Sequence, residues 1–406
     1  MARLSRSATA SGTKVEKKEV SAYPSSAVSI VYRFDEFVLR LEPQCDRRGL
    51  QGSRAHCTPG EARKNSEIRV KVLVTGGTGF VGSHAVAALL RSGHRVRLLV
   101  RDPSKIQRVL EARGVKVDDY AVGDMADAHA VRTALMGCDA VLHAAATMYG
   151  GEEVYSANVQ GSHNVLGIGC ELGLDPILFI STVAAMFPPA GERFAVDDPI
   201  RGLKTTYGRS KVEGERFARD LQARGVPLVT IYPAGVFGPD DPSLGEPNKG
   251  LRDGIRFGWP ITAGGVSIVD VRDCAKVIAA AVEPGRGPRR FMVGGHFVSG
   301  SELADHCDVL TGRRALRLPM PASLLRGIGR LLDAAKQIVP FDYPLTHEAA
   351  EMMTRFVPCD SRATVEQLGV SFRPTAETLR DTIRWLYETG EISAKIAGQI
   401  ANDSAS

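Results

Sequence analysis

One short stretch, Thr75-Gly-Gly-Thr-Gly-Phe-Val-Gly82, constrains this chain more than any other. It joins the apolar run Val70–Val74 to an apolar helical pattern from Phe80 to Ser92, which Gly93 closes. Gly76, Gly79 and Gly82 are spaced GxxGxxG, and Gly77, Gly79 and Gly82 also satisfy GxGxxG. Glycine permits a tight turn and lets an anion approach the backbone, while the following helix offers unpaired N–H groups and a partial positive charge. Between a strand and a helix, such a turn is built to seat the pyrophosphate of a dinucleotide. The residues assigned to that seat are Gly76, Thr78, Gly79, Phe80, Val81 and Gly82.

The text that follows alternates short β-rich runs with helical ones. Strands are expected at Val96–Val100, near Val115–Val122, at Ala140–His143, Ile177–Ile180 and Leu228–Ile231, with helices ending near Met136 and running through Val159–Leu172. Two βαβαβ halves in succession predict an α/β fold, a doubly wound parallel Rossmann sheet with a smaller mixed C-terminal substrate domain. The expected divisions are a basic extension over 1–69, a dinucleotide-binding domain over 70–285, a substrate-binding region over 286–390, and a tail over 391–406. Dense Pro and Gly between Gly235 and Gly265 read as loops, so 186–204 and 236–262 are assigned to the substrate side. A strand and helix over Ile268–Ala281 and helices at Ala322–Ile338, His347–Thr354 and Thr375–Glu388 complete the pattern.

The residue ending the second strand selects the dinucleotide. An acid there binds the ribose 2′-OH of NAD, whereas an arginine accommodates the 2′-phosphate of NADP. Arg101 follows Val100, with Lys105 four positions on, which favours NADP by charge complementarity. Asp102 is adjacent, and a register shifted by one residue would favour NAD.

Tyr207-Gly-Arg-Ser-Lys211 sets a phenol and an ammonium four residues apart on one face of a helix that continues to about Ala223. Free tyrosine ionises near pH 10, but an adjacent ammonium and an oxidised nicotinamide both favour the phenolate. Tyr207 can then give a proton to a developing alkoxide or take one from an alcohol. Upstream, a strand ends in Phe179-Ile180-Ser181-Thr182, placing two hydroxyls at the carboxyl edge of the sheet.

Taken together, the glycine turn, Gly123-Asp124, His143-Ala-Ala-Ala146, Ser181/Thr182, Tyr207/Lys211 and Tyr232-Pro-Ala-Gly-Val-Phe-Gly-Pro239 resemble the extended short-chain dehydrogenase/reductase family, the NAD(P)-dependent epimerase/dehydratase group. The resemblance spans roughly residues 70–390. It implies an enzyme in which Tyr207 is the catalytic acid/base and Lys211 lowers its pKa and holds the nicotinamide ribose. It implies Thr182 as the catalytic hydroxyl, with Ser181 second, Asp124 at the adenine, Ala144 and Ala145 along the cofactor path, and Pro233 and Ala234 beside the nicotinamide. A homodimer through helices near Ser162–Leu172 and Tyr207–Ala223 is what the family suggests.

Within the family, sugar-nucleotide epimerases usually carry an arginine and an asparagine where this chain has Tyr232 and Gly235. That loss, with Arg101-Asp102-Pro103 and an apolar C-terminal segment, resembles the dihydroflavonol-reductase-like and hydroxysteroid-dehydrogenase-like branch. The expected function is an NADP-dependent oxidoreductase interconverting a carbonyl and an alcohol on a fairly apolar small molecule. The alternative is a sugar-nucleotide epimerase or dehydratase with tightly bound NAD, in which Lys249 and Arg252 would meet an anionic substrate.

Charge and composition exclude other classes. The first 69 residues carry the whole net charge of +5, so the neutral remainder offers no face for nucleic acid. That extension lacks a secretory signal pattern, and because Val70 is what a read-through GTG start would encode, a native start near Val70 is expected. Seven scattered cysteines without a CxxC pair point to reduced thiols and a cytoplasmic setting. No apolar run is long enough to span a bilayer, and the amphipathic stretch Pro319–Val339 reads as a lid over the site or, less simply, as a peripheral membrane contact. His84 and His94 are expected to be solvated and His143 packed on the sheet, with no metal site. Asp270 and Asp273 read as structural caps, and Met148 and Tyr149 as residues near substrate.

Overall fold

A computed structural model describes residues 69–336 and 346–403. The expectations for the basic extension up to residue 68, and for Ile338 and Val339, lie outside the described residues. The chain opens with β1 (Lys71–Thr75), α1 (Phe80–Arg91), β2 (Arg95–Val100), α2 (Ser104–Glu111), β3 (Tyr120–Val122) and α3 (Ala128–Leu135). It continues with β4 (Ala140–His143), α4 (Glu152–Glu171), β5 (Ile177–Ile180), α5 (Thr206–Ala223) and β6 (Leu228–Pro233). These strands and Arg289–Val293 form one seven-stranded sheet in the order 289–293, β6, β5, β4, β1, β2, β3. Every pairing in it is parallel. This is the doubly wound Rossmann sheet, with its order reversing between β1 and β4. The seventh strand lies beyond residue 285, where the sequence reading had ended the dinucleotide domain.

Side chains alternate between the two faces because a strand repeats every two residues. Val72, Val74, Leu142, Leu178 and Ile180 pack with Ala85, Val86, Leu89, Val277 and Ile278 on one face. Leu73, Val141, Ile177 and Phe179 pack with Val131, Val165, Leu166, Ala218 and Leu221 on the other. Buried on both sides, these strands read as continuous apolar runs. Thr75 pairs with His143, His143 with Phe179, and Ile180 with Ile231. That register brings the carboxyl ends of β1, β4, β5 and β6 to one edge.

A second core, around Phe237, Leu251, Trp259, Leu303, Leu379, Ile383 and Ile400, supports the C-terminal part. There 235–237, 265–270 and 296–299 form a small mixed sheet. The stretch expected to be loops contains a helix, Glu246–Phe257, begun by Pro247 in its first turn. Its glycines misled the sequence reading. Gly254 is required because a side chain there would run into the Trp259 ring. Residues 394–403, read as part of a tail, form two short helices that bury Ala397, Ile400 and Ala401.

Two buried carboxylates join the late segment to the strand 265–270 and to the helix Val271–Ala281 that follows it. Asp270 caps the helix Val271–Ala281 and accepts from Arg272, which also reaches Asp381 on the helix Thr375–Glu388. Burial works against ionisation of Asp270, yet the Arg272 hydrogen bonds hold its carboxyl below the usual range. Asp273 pairs with Arg373 through both the guanidinium and, at 2.6 Å, the backbone N–H. Both aspartates are thus structural. Arg373→Ala is expected to lower the unfolding free energy by roughly 1–3 kcal/mol at neutral pH, because buried Asp273 then keeps only Lys276 and the residue-373 backbone N–H as partners. Urea denaturation of the variant and the parent protein measures the deficit.

Candidate active site

Gly76 adopts a left-handed backbone, φ 73°, and a Cβ on it would lie 2.6 Å from the Ala145 nitrogen. The turn after β1 therefore rests directly on the chain leaving β4. A Cβ on Gly82 would fall on the carbonyl oxygen of Gly76, so α1 can start only where glycine stands. Gly79 donates to that same carbonyl at 2.9 Å and caps α1 without any side-chain bond. No acidic residue sits in the first turn. The N–H groups of Phe80, Val81 and Gly82 thus lack helical acceptors and carry the positive end of the dipole, beside half-buried Thr78. The donor set fits a pyrophosphate.

At the rim, Arg101 leaves β2 with its side chain 74% exposed and its Nη1 3.9 Å from the Asp124 carboxylate. Asp102 turns away. Its Oδ1 accepts from the backbone N–H and hydroxyl of Ser104 at 3.0 and 2.6 Å, and these bonds hold its carboxyl below the usual range. Lys105 leans back over Asp102 at 3.9 Å rather than toward Arg101. Asp124 accepts from the N–H of Ala126.

The candidate reactive groups stand where β5 meets α5. Thr205 caps α5 by accepting from Gly208, which sets Tyr207 in the first turn and Lys211 one turn later. Lys211 is buried, and its Nζ donates to the Ile180 carbonyl at 2.9 Å, with the ring centroids of Phe179 and Tyr207 at 5.4 and 5.8 Å. Burial drives its pKa down to about 8, opposed by the charge of Glu215. Burial also pushes the Tyr207 phenol up to about 12. The expected depression of that phenol by Lys211 does not appear: burial dominates, and the ammonium is engaged with Ile180.

The two strand-end hydroxyls divide their work. Ser181 is buried and donates to the Glu215 carboxylate at 2.7 Å. Thr182 is half-exposed, and its oxygen accepts from the Ala184 N–H at 3.2 Å, so that bond leaves its own proton available. Pro233 ends β6, and Ala234 donates to the Val293 carbonyl. Ala234 packs beside an apolar cluster of Val183, Phe187, Phe194, Met292 and Phe356.

His143 is buried between Thr75 at 2.8 Å and Ser162 at 3.1 Å, stacked on Phe179, and burial lowers its pKa to about 3. It is a neutral spacer that fixes the ends of β1 and β4, ahead of half-buried Ala144 and Ala145. His84 and His94 are not solvated as expected. His84 is buried against Phe80 and the Pro239 carbonyl, with its pKa lowered to about 3 by burial and by Arg113. His94 is half-buried and accepts from Val70. Among the described residues no His, Cys, Asp and Glu group is arranged to hold a metal.

Other expectations change. Arg252 is committed to Asp253 and Glu391, each at 2.8 Å, so it does not face a substrate anion. Met148 and Tyr149 are exposed, and the Tyr149 hydroxyl meets Glu246. The helix Ala322–Lys336 buries Leu325 while leaving Leu324 and Leu331 exposed, and packs on the helix His347–Arg355. Glu348 of the latter accepts the backbone N–H of Thr205 at 3.1 Å, directly ahead of Tyr207. Among the described residues, no helix is long and apolar enough to cross a membrane.

Sequence reasoning missed Asn158 and Glu215. Asn158, inside α4, exchanges hydrogen bonds with the Thr147 backbone and donates to Ser210, clamping the chain after β4 to α5. Glu215 continues the spacing of Tyr207 and Lys211 by four more residues, a signal that was present but looked like surface charge.

The model of the NAD dependent epimerase/dehydratase family matches residues 72–294. The chain is 30% identical to the ketoreductase azaE of Aspergillus niger over 64% of this chain and 88% of that one. It is 28% identical to sterol demethylase protein B of Methylococcus capsulatus over 79% of this chain and 99% of that one. Its fold is shared with a UDP-glucose-4-epimerase from Stenotrophomonas maltophila solved with NAD and formylated UDP-arabinopyranose, at a TM-score of 0.64 and 20% identity, covering 80% of this chain and 100% of that one.

The division between the two hydroxyls has a direct test in urea unfolding. Ser181→Ala strands acceptors on a buried carboxylate and should cost about 2 kcal/mol, whereas Thr182→Ala should stay within about 1 kcal/mol. The reverse order would exchange their roles.

Proposed function

This chain belongs to the NAD-dependent epimerase/dehydratase family, and we propose that within it the protein is an NADP-dependent reductase interconverting a carbonyl and an alcohol on a fairly apolar small molecule. The observation that carries this reading is the buried Lys211 ammonium, anchored to the last carbonyl of β5 between the Tyr207 ring and the Ser181/Thr182 strand end. When bound, the nicotinamide coenzyme supplies or accepts the hydride.

The residues of the chain supply the rest. The uncapped first turn of α1 holds the diphosphate, and Ala144, Ala145, Pro233 and Ala234 line the way to the strand ends. Thr182 donates its free proton to the substrate oxygen and orients it. Tyr207 gives that oxygen its proton in reduction and removes it in oxidation. Lys211 steadies the phenolate that reduction leaves, and holds the coenzyme ribose.

Arg101 supports the choice of NADP, because its guanidinium is largely exposed, with Asp124 no nearer than 3.9 Å, while Asp102 is occupied by Ser104. Ala234 beside the Phe187, Phe194 and Phe356 cluster supports an apolar substrate, as does the commitment of Arg252 to Glu391. The names of the ketoreductase and the sterol demethylase protein agree with this branch.

Coenzyme oxidation by the purified protein against ketones, aldehydes and UDP- or GDP-sugars tests the reading. Turnover of apolar ketones with exchangeable NADPH is expected; a protein that purifies with NAD and converts only nucleotide sugars would overturn it. Tyr207→Phe should keep coenzyme affinity and lower turnover at least about 100-fold. Arg101→Ala should remove the preference for NADPH over NADH. Reduction should decline above about pH 8, where Lys211 loses its proton, since its pKa lies near 8 and the phenol stays protonated far beyond.

A further inference from the structure

Glu215 lies one helical turn beyond Lys211 and two beyond Tyr207, and it is wholly inaccessible to solvent. Its carboxylate receives three hydrogen bonds of 2.7 Å, from the Ser181 hydroxyl, the Tyr232 hydroxyl and the Arg219 Nε. Ser181 follows β5, Tyr232 lies in β6 directly ahead of Pro233 and Ala234, and Arg219 is one turn further along α5. One side chain thereby ties the ends of two strands to the helix that carries the phenol and the ammonium.

The two hydroxyls alone would be satisfied by a neutral acceptor, and the charge is answered within the cluster by Arg219. The charge has a use one turn away, at the buried ammonium of Lys211. We propose that Glu215 is a positioning residue of this site, locking β5 and β6 onto α5 and supplying the negative charge that keeps Lys211 an ammonium under working conditions. The proposal rests on the reading that Lys211 acts with Tyr207.

The groups around the pair leave that task to Glu215. Lys211 faces Phe179 and the Ile180 carbonyl from β5, neutral His143 from β4, and Tyr207 from its own helix. Glu215 faces Ser181, Tyr232 and Arg219, with Arg290 acting on Tyr232 from the neighbouring strand. Arg219 and Arg290 are cations, and Arg290 is paired with Asp197. Burial lowers the pKa of Lys211, and Glu215 is the charge that opposes the fall. A lysine is protonated below its pKa, so loss of Glu215 would move deprotonation to lower pH. Arg219, left without its partner, would push the same way.

The test follows Lys211 directly, by NMR titration of the coenzyme-free, full-length protein with ¹³C-labelled lysine, the resonance assigned with Lys211→Arg. Glu215→Gln is expected to lower the Lys211 midpoint by about one unit or more, and to move the alkaline limb of carbonyl reduction down with it. Glu215→Asp should bring the midpoint back toward wild type. Ser181→Ala and Tyr232→Phe remove donors but keep the charge, and should leave the midpoint in place. An unmoved midpoint in folded Glu215→Gln, or an equal shift in Tyr232→Phe, would overturn the proposal. If Glu215→Gln does not fold, Arg219→Met carries the test, with an upward shift expected and none counting against it. A shifted midpoint in a protein that reduces no carbonyl would instead sink the functional reading and leave the charge relation standing.

Discussion

A cation buried at the edge of a parallel sheet has to be given an oxygen, and the placement of this site follows from which oxygen Lys211 receives. It is the Ile180 carbonyl, the last of β5. That carbonyl is aimed outward only because Ile180 pairs with Ile231 and Phe179 with His143, so that the neighbouring strands end at the same level. The register is in turn fixed by side chains that cannot exchange faces: a one-residue slip would turn Phe179 out of the core it shares with Val141 and Leu166. The reach of one ammonium therefore depends on the packing of both sheet faces.

The glycine turn obeys a different constraint, steric before it is electrostatic. Gly76 and Gly82 are demanded by the approach of β4 and of the turn's own carbonyl, whatever the turn binds. Only after that fit is made does α1 present a bare, positively polarised end beside Arg101. Asp102 is drawn into a local turn with Ser104, while Asp124 lies 3.9 Å from the Arg101 guanidinium. The local turn at Asp102 is set by a hydroxyl three positions downstream of Arg101.

Much of this was legible in the sequence because it repeats on short periods. β4, β5 and the helix Thr375–Glu388 have the bounds expected from their apolar patterns, and the glycine turn and the Tyr207–Lys211 spacing are local. What failed to show depends on distant partners. Glu246–Phe257 looked like a loop because of its glycines, of which Gly254 is there to make room for Trp259. His84 borders a helix and looked solvated until Pro239 closed over it. Glu215 stands among Glu213, Arg216 and Arg219, a run that reads as a wet surface. The helix turns Glu213 outward toward Arg216 and Glu215 inward toward β5 and β6, which no local pattern announces.

The same neighbourhood shows how stability and chemistry are kept apart in space. Ser181 and Thr182 are adjacent hydroxyls, yet alternation along the chain sends the first into the core and leaves the second at the rim. Ser181 and Tyr232 have their protons fixed on a fully buried carboxylate, where leaving one unbonded would cost stability. Thr182 keeps its proton because its oxygen is occupied as an acceptor from the backbone. Two adjacent hydroxyls thus serve different partners, a buried carboxylate for Ser181 and a backbone N–H for Thr182. The carboxylate that Ser181 serves is on α5, so the framework that fixes the strand ends also fixes the distance between the ammonium and the phenol.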